Sequence, residues 1–334
     1  MSGQPQLGIT LYSLTAEYRS GKYTFEELVE KVGSTGVGPA LEIVGFQSIR
    51  GFPAVSDEFA LRFRRLVDAA GLRPSCLGAN VDIARRRDRH MSDQEVVEYL
   101  SMQIGAAVKL GFPVLRIQFG ARPSALRLLV PIAERAGVRL GMEIHAPHSV
   151  DHPTIVALRE LYEEIDSPFL GFIPDFGAST RAIPAGALAH QRSLGTPEHI
   201  IDMIVRTWEA VHRGEADPFT ARRRLMADVE AMHGGPEALA FAWRALTLWG
   251  HQAPERWAEI MPRVVHVHAK FFDIDETEDE PSVPYRALMR TFQESGYTGT
   301  MSSEWEGASW TDDPDGFTMV EAHQRMMRRY LAAE

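Results

Sequence analysis

Cysteine is nearly absent. Cys76 is the one thiol among 334 residues, so no disulfide can form within the chain. That scarcity fits a reducing compartment and predicts a cytoplasmic protein. Basic side chains are in deficit: Lys and Arg number 35 against 45 Asp and Glu, for a net charge of −10. Binding a phosphate polymer draws mainly on basic side chains, so nucleic acid is not an expected partner. No run approaches the roughly 18 apolar residues of a membrane span. The first ten residues lack a basic region followed by an apolar core, which argues against a secretory signal. Glycine and proline, at 27 and 20 residues, are too few for a collagenous or low-complexity chain. No G-x-G-x-x-G follows the first strand pattern, so the dinucleotide-binding signature is missing.

What is present is alternation. Short β-rich runs lie at 7–14, 40–48, 73–82, 113–120, 139–146, 170–177, 264–272 and 299–306. Amphipathic helical patterns separate or follow them at 24–32, 56–71, 94–110, 123–137, 153–166, 283–294 and 315–332. Ser56 precedes two acidic residues, and Ser92 has Glu95 three residues on, as helix N-termini prefer. Gly71, Gly111 and Gly137 follow helical runs, where a left-handed terminal residue is favoured. Eight β-then-α units predict an α/β fold, a closed (β/α)8 TIM barrel, over an open doubly wound sheet. With no linker or internal repeat, residues 1–334 read as a single domain.

One connection breaks the rhythm. Strands 6 and 7 are separated by roughly 85 residues, where one helix with its loops needs about 30. The stretch 180–262 therefore reads as a helical insertion, with helices at 197–213, 217–233 and 236–249. It holds Trp208, Trp243, Trp249 and Trp257. Extra packing outside the barrel is one reading. A lid or a partner-docking surface is the other, because the insertion starts at the face where barrel active sites sit.

Residues two apart on a strand share a face. Strand 5 thus aligns Glu143 with His145, and strand 6 presents Asp175 at its end. Strand 7 aligns His266, His268 and Lys270, and strand 8 aligns Ser302, Glu304 and Glu306. A charge flanked by apolar strand residues is unfavourable unless paired or metal-bound. Four consecutive strands carrying one point to a site. Glu143, Asp175, His268 and Glu304 make an oxygen-rich donor set, suited to Mn²⁺ or Mg²⁺, with Co²⁺ as a further candidate and zinc not excluded. Taken alone, Glu143 reads equally well as the ion-pair partner of Arg116, and Asp175 as the cap of the next turn.

His145 sits one pleat nearer the mouth. It reads as a general base beside a dication, or as a hydrogen-bond partner of a ligand. Lys270 reads as a group that steadies an enolate oxygen, or as the partner of Glu304 or Glu306. His266 lies deeper, where a histidine satisfied within the core is the plain reading. Asn80, Gln118 and His266 are the candidate substrate contacts, and the first two read equally as loop ties. The acidic run 273–280 lacks the register of a calcium loop and reads as solvated. His148 and His152 read as loop histidines.

The order Glu, Asp, His-x-His and Glu on strands 5 to 8 resembles the xylose isomerase-like TIM barrel superfamily. Over nearly the whole chain, that likeness implies one divalent metal, usually Mn²⁺, on Glu143, Asp175, His268 and Glu304. GITLYSL at 8–14, LEIVGFQSIRGFP at 41–53, PSCLGAN at 74–80, MEIHAPHSVDHP at 142–153, GFIPDFGAS at 171–179 and HVHAKFF at 266–272 resemble the α subunits of bacterial C-glycoside deglycosidases. This narrower likeness implies cleavage of the C–C bond between a 3-oxo-glucosyl group and an aromatic aglycone such as a flavonoid. It also implies a small β subunit in a hetero-oligomer, and His145 as the base. Lys270 and Glu304 complete the expected catalytic set. The resemblance further implies C2 deprotonation followed by β-elimination of the aglycone. A sugar isomerase, epimerase or inosose dehydratase would use the same metal set. The His after Glu143 and the expanded strand 6–7 connection depart from the epimerase pattern. A non-catalytic interaction subunit, working through the tryptophan-rich insertion, is the alternative of another class.

Overall fold

The computed structural model describes residues 3–81, 87–118 and 120–332. Eight strands form one parallel sheet: β1 (Gln6–Thr10), β2 (Ala40–Val44), β3 (Arg73–Gly78), β4 (Val114–Ile117), β5 (Arg139–Ile144), β6 (Leu170–Pro174), β7 (Val267–Phe271) and β8 (Thr300–Trp305). Their order is β6-β5-β4-β3-β2-β1-β8-β7. Single parallel bridges, Phe172 to Val264 and Asp175 to His268, bring β6 and β7 together and close the ring. The expected barrel is therefore the observed one, and its closing bridge pairs two of the candidate ligands.

All eight expected strands are present, and most end earlier than the sequence suggests. Hydrophobic patterning continues to residue 14 after β1, yet Leu11–Leu14 is a 3-10 turn capped by the Thr10 side chain. Gly45–Ser48 coils after β2, and Phe176–Ser179 coils after β6. Apolar character marks burial, not extension, so turns packed under the mouth imitate strand ends. Asp82, the expected end of the third strand, and Phe119, within the expected fourth, lie outside the described residues.

The helices follow the predicted caps. Ser92 and Glu95 form a reciprocal capping box at the head of Asp93–Leu110, and Ser56 accepts from the Phe59 N–H at the head of Asp57–Ala69. Gly111 and Gly137 end their helices in the left-handed region, at φ 87° and 67°, where a Cβ would be strained.

Between β6 and β7 lie the helices Ala185–Ser193, Glu198–His212, Pro218–Ala231 and Gly235–Ala245, then a 3-10 stretch at Pro254–Arg263. The first was not expected, and the last α-helix stops short of residue 249. Trp208, Trp249 and Trp257 are buried, while Trp243 is 50% exposed. The Trp208 indole donates to the Trp249 carbonyl at 2.8 Å, and that of Trp257 to Ser179 Oγ at 2.9 Å. Gly250 and Gln252 donate through their backbone N–H groups to the carbonyls of Gly177 and Ala178. The segment is thus tied to the turn that follows β6. No helix among the described residues is long and apolar enough to cross a membrane.

Two environments share the barrel interior. Cys76, Val114 and Ile173 form a small apolar cluster packed by Val265. Elsewhere the inward positions are charged: Glu42, Arg116, Glu143, His268, Lys270 and Glu304, all buried. Room for them comes from missing side chains. A Cβ on Gly78 would lie 2.8 Å from the Arg116 guanidinium, and one on Gly177 would lie 2.7 Å from Lys270 Cδ.

Candidate active site and metal centre

Glu143, Asp175, His268 and Glu304 meet at the C-terminal end of the barrel. Each offers one donor atom, these atoms lie within 4.8 Å of one another, and all four residues are buried. His268 Nδ1 is 2.7 Å from Glu143 Oε1 and 3.6 Å from Glu304 Oε2. Three carboxylates and one imidazole converge because β5, β6, β7 and β8 are consecutive staves in parallel register.

Two observations make the cluster a fit for a divalent cation. Glu304 Oε2 is buried and receives no hydrogen bond, its nearest cationic groups being Lys270 Nζ and His268 Nδ1 at 3.6 Å. An unsatisfied buried carboxylate oxygen is strongly unfavourable, and a hard cation satisfies it. The donor set, oxygen-rich with one nitrogen, is also one that Mn²⁺ or Mg²⁺ accepts.

The electrostatics tell the same story. Burial raises the Glu304 carboxyl to about 7, against the pull of Lys270 and His268 and with Asp175 and Glu143 adding to it. For Glu143 burial is outweighed by Arg116 and His268, which hold it well below the usual carboxylate range. Burial likewise opposes charge on His268, but Glu42, Glu304 and Glu143 hold its pKa well above normal. Without a cation, then, the cluster holds protons where it would otherwise hold metal.

Arg116 makes the ion pair expected of it, 2.9 Å from Glu143 Oε2. Pairing and membership of the cluster coexist, because the other Glu143 oxygen faces His268. Gln118 Nε2 donates to Glu143 Oε2 at 3.1 Å from an exposed position. Asn80 is half-buried, and its backbone is tied to Gln103: its N–H donates to Oε1, and Gln103 Nε2 donates to its carbonyl.

His145 lies just past β5 and remains 28% exposed, by far the most accessible of the central groups. Its Nδ1 is 2.7 Å from the Ala146 carbonyl, so Nδ1 carries the proton and donates. Nε2 therefore presents a lone pair, and Lys270 Nζ stands 3.1 Å from it. The same ammonium lies 2.8 Å from Asp175 Oδ2 and 2.8 Å from Glu306 Oε2, with Glu304 Oε2 at 3.6 Å. Burial works against its charge, but Asp175, Glu304 and Glu306 keep its pKa well above normal.

Two expectations need correcting. His266 was a candidate substrate contact, but its ring is 1% exposed, and Nε2 faces Glu42 Oε2 at 2.9 Å and Ser302 Oγ at 3.0 Å. It belongs to the barrel interior, because two residues nearer the strand start puts it a full layer below His268. The acidic run after β7 is not wholly solvated either. Glu280 is fully buried, accepts the Val283 N–H, and is raised to about 8 by burial.

Two groups escaped the sequence pattern. Glu42, inside β2, bridges His266 and His268. Its signal was there, a carboxylate between Leu41 and Ile43, but no neighbouring strand repeats it. Tyr12, on the turn after β1, donates to Glu306 Oε1 at 3.1 Å. Glu306 and burial raise its pKa above normal. Nothing in a turn sequence announces that contact.

With this geometry in view, the chain can be set beside known proteins. Residues 27–330 match the family described as xylose isomerase-like TIM barrel. The 3'-dehydrocarminate deglycosidase alpha subunit of a Microbacterium species is 45% identical over 97% of this chain and 95% of its own length. A C-glycoside deglycosidase alpha subunit of Arthrobacter globiformis is 41% identical over 99% of this chain and 92% of its own. Among solved structures, L-ribulose 3-epimerase superposes with a TM-score of 0.55 at 13% identity, covering 98% of this chain and 95% of that one, a likeness of fold. The chain therefore belongs to the xylose isomerase-like TIM barrel family and, within it, to the C-glycoside deglycosidase alpha subunits.

Proposed function

We propose that this protein is the catalytic α subunit of a C-glycoside deglycosidase, a lyase that breaks the C–C bond between a 3-oxo-glucosyl group and an aromatic aglycone. The observation that carries the reading is a lone-pair nitrogen, His145 Nε2, facing an ammonium and a carboxylate cluster at the open end of the barrel. Full-length likeness to relatives of that name supports the same substrate class. Their designation as alpha subunits supports a second, β subunit in a hetero-oligomer.

A C-glycosidic bond offers no oxygen for an acid to protonate, so a two-carboxylate hydrolysis has no leaving group to assist. A 3-oxo group supplies another route, because it acidifies the hydrogen on C2. Glu143, Asp175, His268 and Glu304 would hold a divalent cation, Mn²⁺ by preference, which supplies Lewis acidity toward the 3-oxo group. His145 Nε2 takes the C2 proton, and the C2–H electron pair forms the enolate C2=C3–O⁻. Lys270 Nζ, fixed by Asp175 and Glu306, stabilises that developing charge. The enolate collapses to re-form C3=O and make C1=C2. The C1–C bond breaks with its electron pair leaving on the aglycone carbon, which is protonated by an acid or by the aglycone's own phenol. The sugar product is a 1,5-anhydro enone. Asn80 and Gln118, just past β3 and β4, would bind sugar hydroxyls.

The test is mass spectrometry of a reaction in heavy water, with a 3-oxo-C-glucosyl flavonoid, Mn²⁺ and the co-purified partner. Release of free aglycone that Glu304→Gln cannot perform is the expected result. Deuterium at C2 without release would retain the enolate step and reject this aglycone. Neither release nor exchange would overturn the reading in favour of an isomerase or epimerase acting on free keto-sugars.

A further inference from the structure

We infer that Glu42 is a positioning residue for the metal centre: it grips His268 through Nε2 and so presents Nδ1 to the divalent cation. The inference rests on the metal centre proposed above.

The distances define the arrangement. His268 is the one nitrogen donor of the cluster, and its two ring nitrogens face different groups. Nδ1 looks toward the ligand side, 2.7 Å from Glu143 Oε1 and 3.6 Å from Glu304 Oε2. Nε2 looks the other way, 2.9 Å from Glu42 Oε1. The second oxygen of Glu42 is 2.9 Å from His266 Nε2, which also lies 3.0 Å from Ser302 Oγ. Glu42 thus spends one oxygen on each imidazole. Every member of this chain is at most 2% exposed.

Three consequences follow from elementary chemistry. A carboxylate accepts and never donates when ionised, so Nε2 of His268 must carry a proton. In the metal-free ring Nδ1 likewise carries a proton toward Glu143 Oε1, and a divalent cation would take its place on the Nδ1 lone pair while Nε2–H stays on Glu42. Hydrogen bonding to an anion also raises the basicity of that lone pair, as carboxylates behind metal-bound histidines do. Glu42, Cys76 and His266 themselves offer donors within 4.8 Å of one another. A second ion there would have to break both imidazole contacts of Glu42, and burial holds the Cys76 thiol well above its usual pKa, against the thiolate such an ion needs. Positioning is therefore the role these distances support.

The test reads metal binding directly, without substrate. Mn²⁺ is titrated into the metal-free full-length protein, with free Mn²⁺ followed by electron paramagnetic resonance. Glu42→Gln should weaken binding about 10- to 100-fold, because a Gln carbonyl oxygen can serve one imidazole only. Glu42→Asp, which keeps the charge but falls short by one methylene, should fall between. Circular dichroism and thermal melting establish that each variant is folded. If Glu42→Gln does not fold, the wild type alone decides. With ¹⁵N-labelled histidine and Mg²⁺ bound, long-range ¹H–¹⁵N spectra should show His268 protonated at Nε2 and metal-bound at Nδ1. Equal affinity in Glu42→Gln, or an unprotonated Nε2 in the loaded wild type, would overturn the inference while leaving the metal centre standing. Wild-type affinity no stronger than that of Glu304→Gln would overturn the metal centre, and the inference with it.

Discussion

The two halves of the barrel do different work. Strands β5 to β8 contribute Glu143, Asp175, His268 and Glu304, one candidate ligand each. Strands β1 to β4 and their turns contribute no member of that set. They supply Tyr12, Glu42, Arg116 and Gln118, and each touches a member of the second half: Glu306, His268, Glu143 and Glu143 respectively. On the proposed reading one half holds the chemistry, and the other orients the groups that perform it through these contacts. The difference teaches that a ligand set alone does not define a site, because its charge state depends on residues across the barrel.

That division can be broken or sharpened by mutation. The largest loss is expected on the chemical side. Asp175→Asn should lower aglycone release about 10³-fold or more, together with metal content measured by plasma mass spectrometry. His145→Ala should lower release about 10²- to 10⁴-fold while metal content stays normal. Loss of metal in that variant would move His145 from base to structural support.

On the orienting side, Arg116→Met should destabilise the fold by roughly 3–5 kcal/mol in the metal-free protein. It leaves Glu143 buried without its partner, and added Mn²⁺ should restore part of the loss in thermal melting. Recovery by metal would tie the pair to the site, and its absence would assign Arg116 to packing alone.

A control lies outside both halves. Burial raises the Glu280 carboxyl to about 8, so the folded protein favours its protonated form. That contribution is full below about pH 4.5 and is lost as pH rises through 8. Glu280→Gln should therefore gain at least about 1 kcal/mol relative to wild type at pH 9, with little gain at pH 4. Chemical denaturation at the two pH values measures it.

The smallest effect is expected at Tyr12. Tyr12→Phe removes one hydrogen bond to Glu306, about 1 kcal/mol, which corresponds to a several-fold fall in kcat with KM little changed. A rise in KM alone would make Tyr12 a substrate contact instead of a support for Glu306.

Much of the site was legible in the sequence because its logic is local. A charge at every second position of an apolar run marks an inward face, and Glu143, His268, Lys270 and Glu304 each stand in such a run. Asp175 was visible for the same reason, although the chain leaves the strand there to let its Oδ1 accept the Gly177 N–H at 2.7 Å. Lys270 was legible as a partner of Glu306, but its approach to His145 was not, because they are 125 residues apart. Glu42 followed the same local rule and was still missed, since its partners lie 224 and 226 residues away. For His266 the plain reading of a satisfied core histidine holds, and its candidacy as a substrate contact fails because its ring lies a layer below the barrel mouth.

By itself the sequence determined the eight βα units, their caps and the inward faces of the strands. These rest on periodicity and on contacts within a few residues. The tertiary structure decided which inward groups meet. Closing the ring between β6 and β7 brings Asp175 opposite His268, and the turn after β1 carries Tyr12 to Glu306. Only the closed ring could give His268 a carboxylate on each side, because Glu143 on β5 and Glu42 on β2 reach β7 from its two sides around the ring. Protonation, orientation and metal fit depend on such distances through space, and no pattern along the chain encodes them directly.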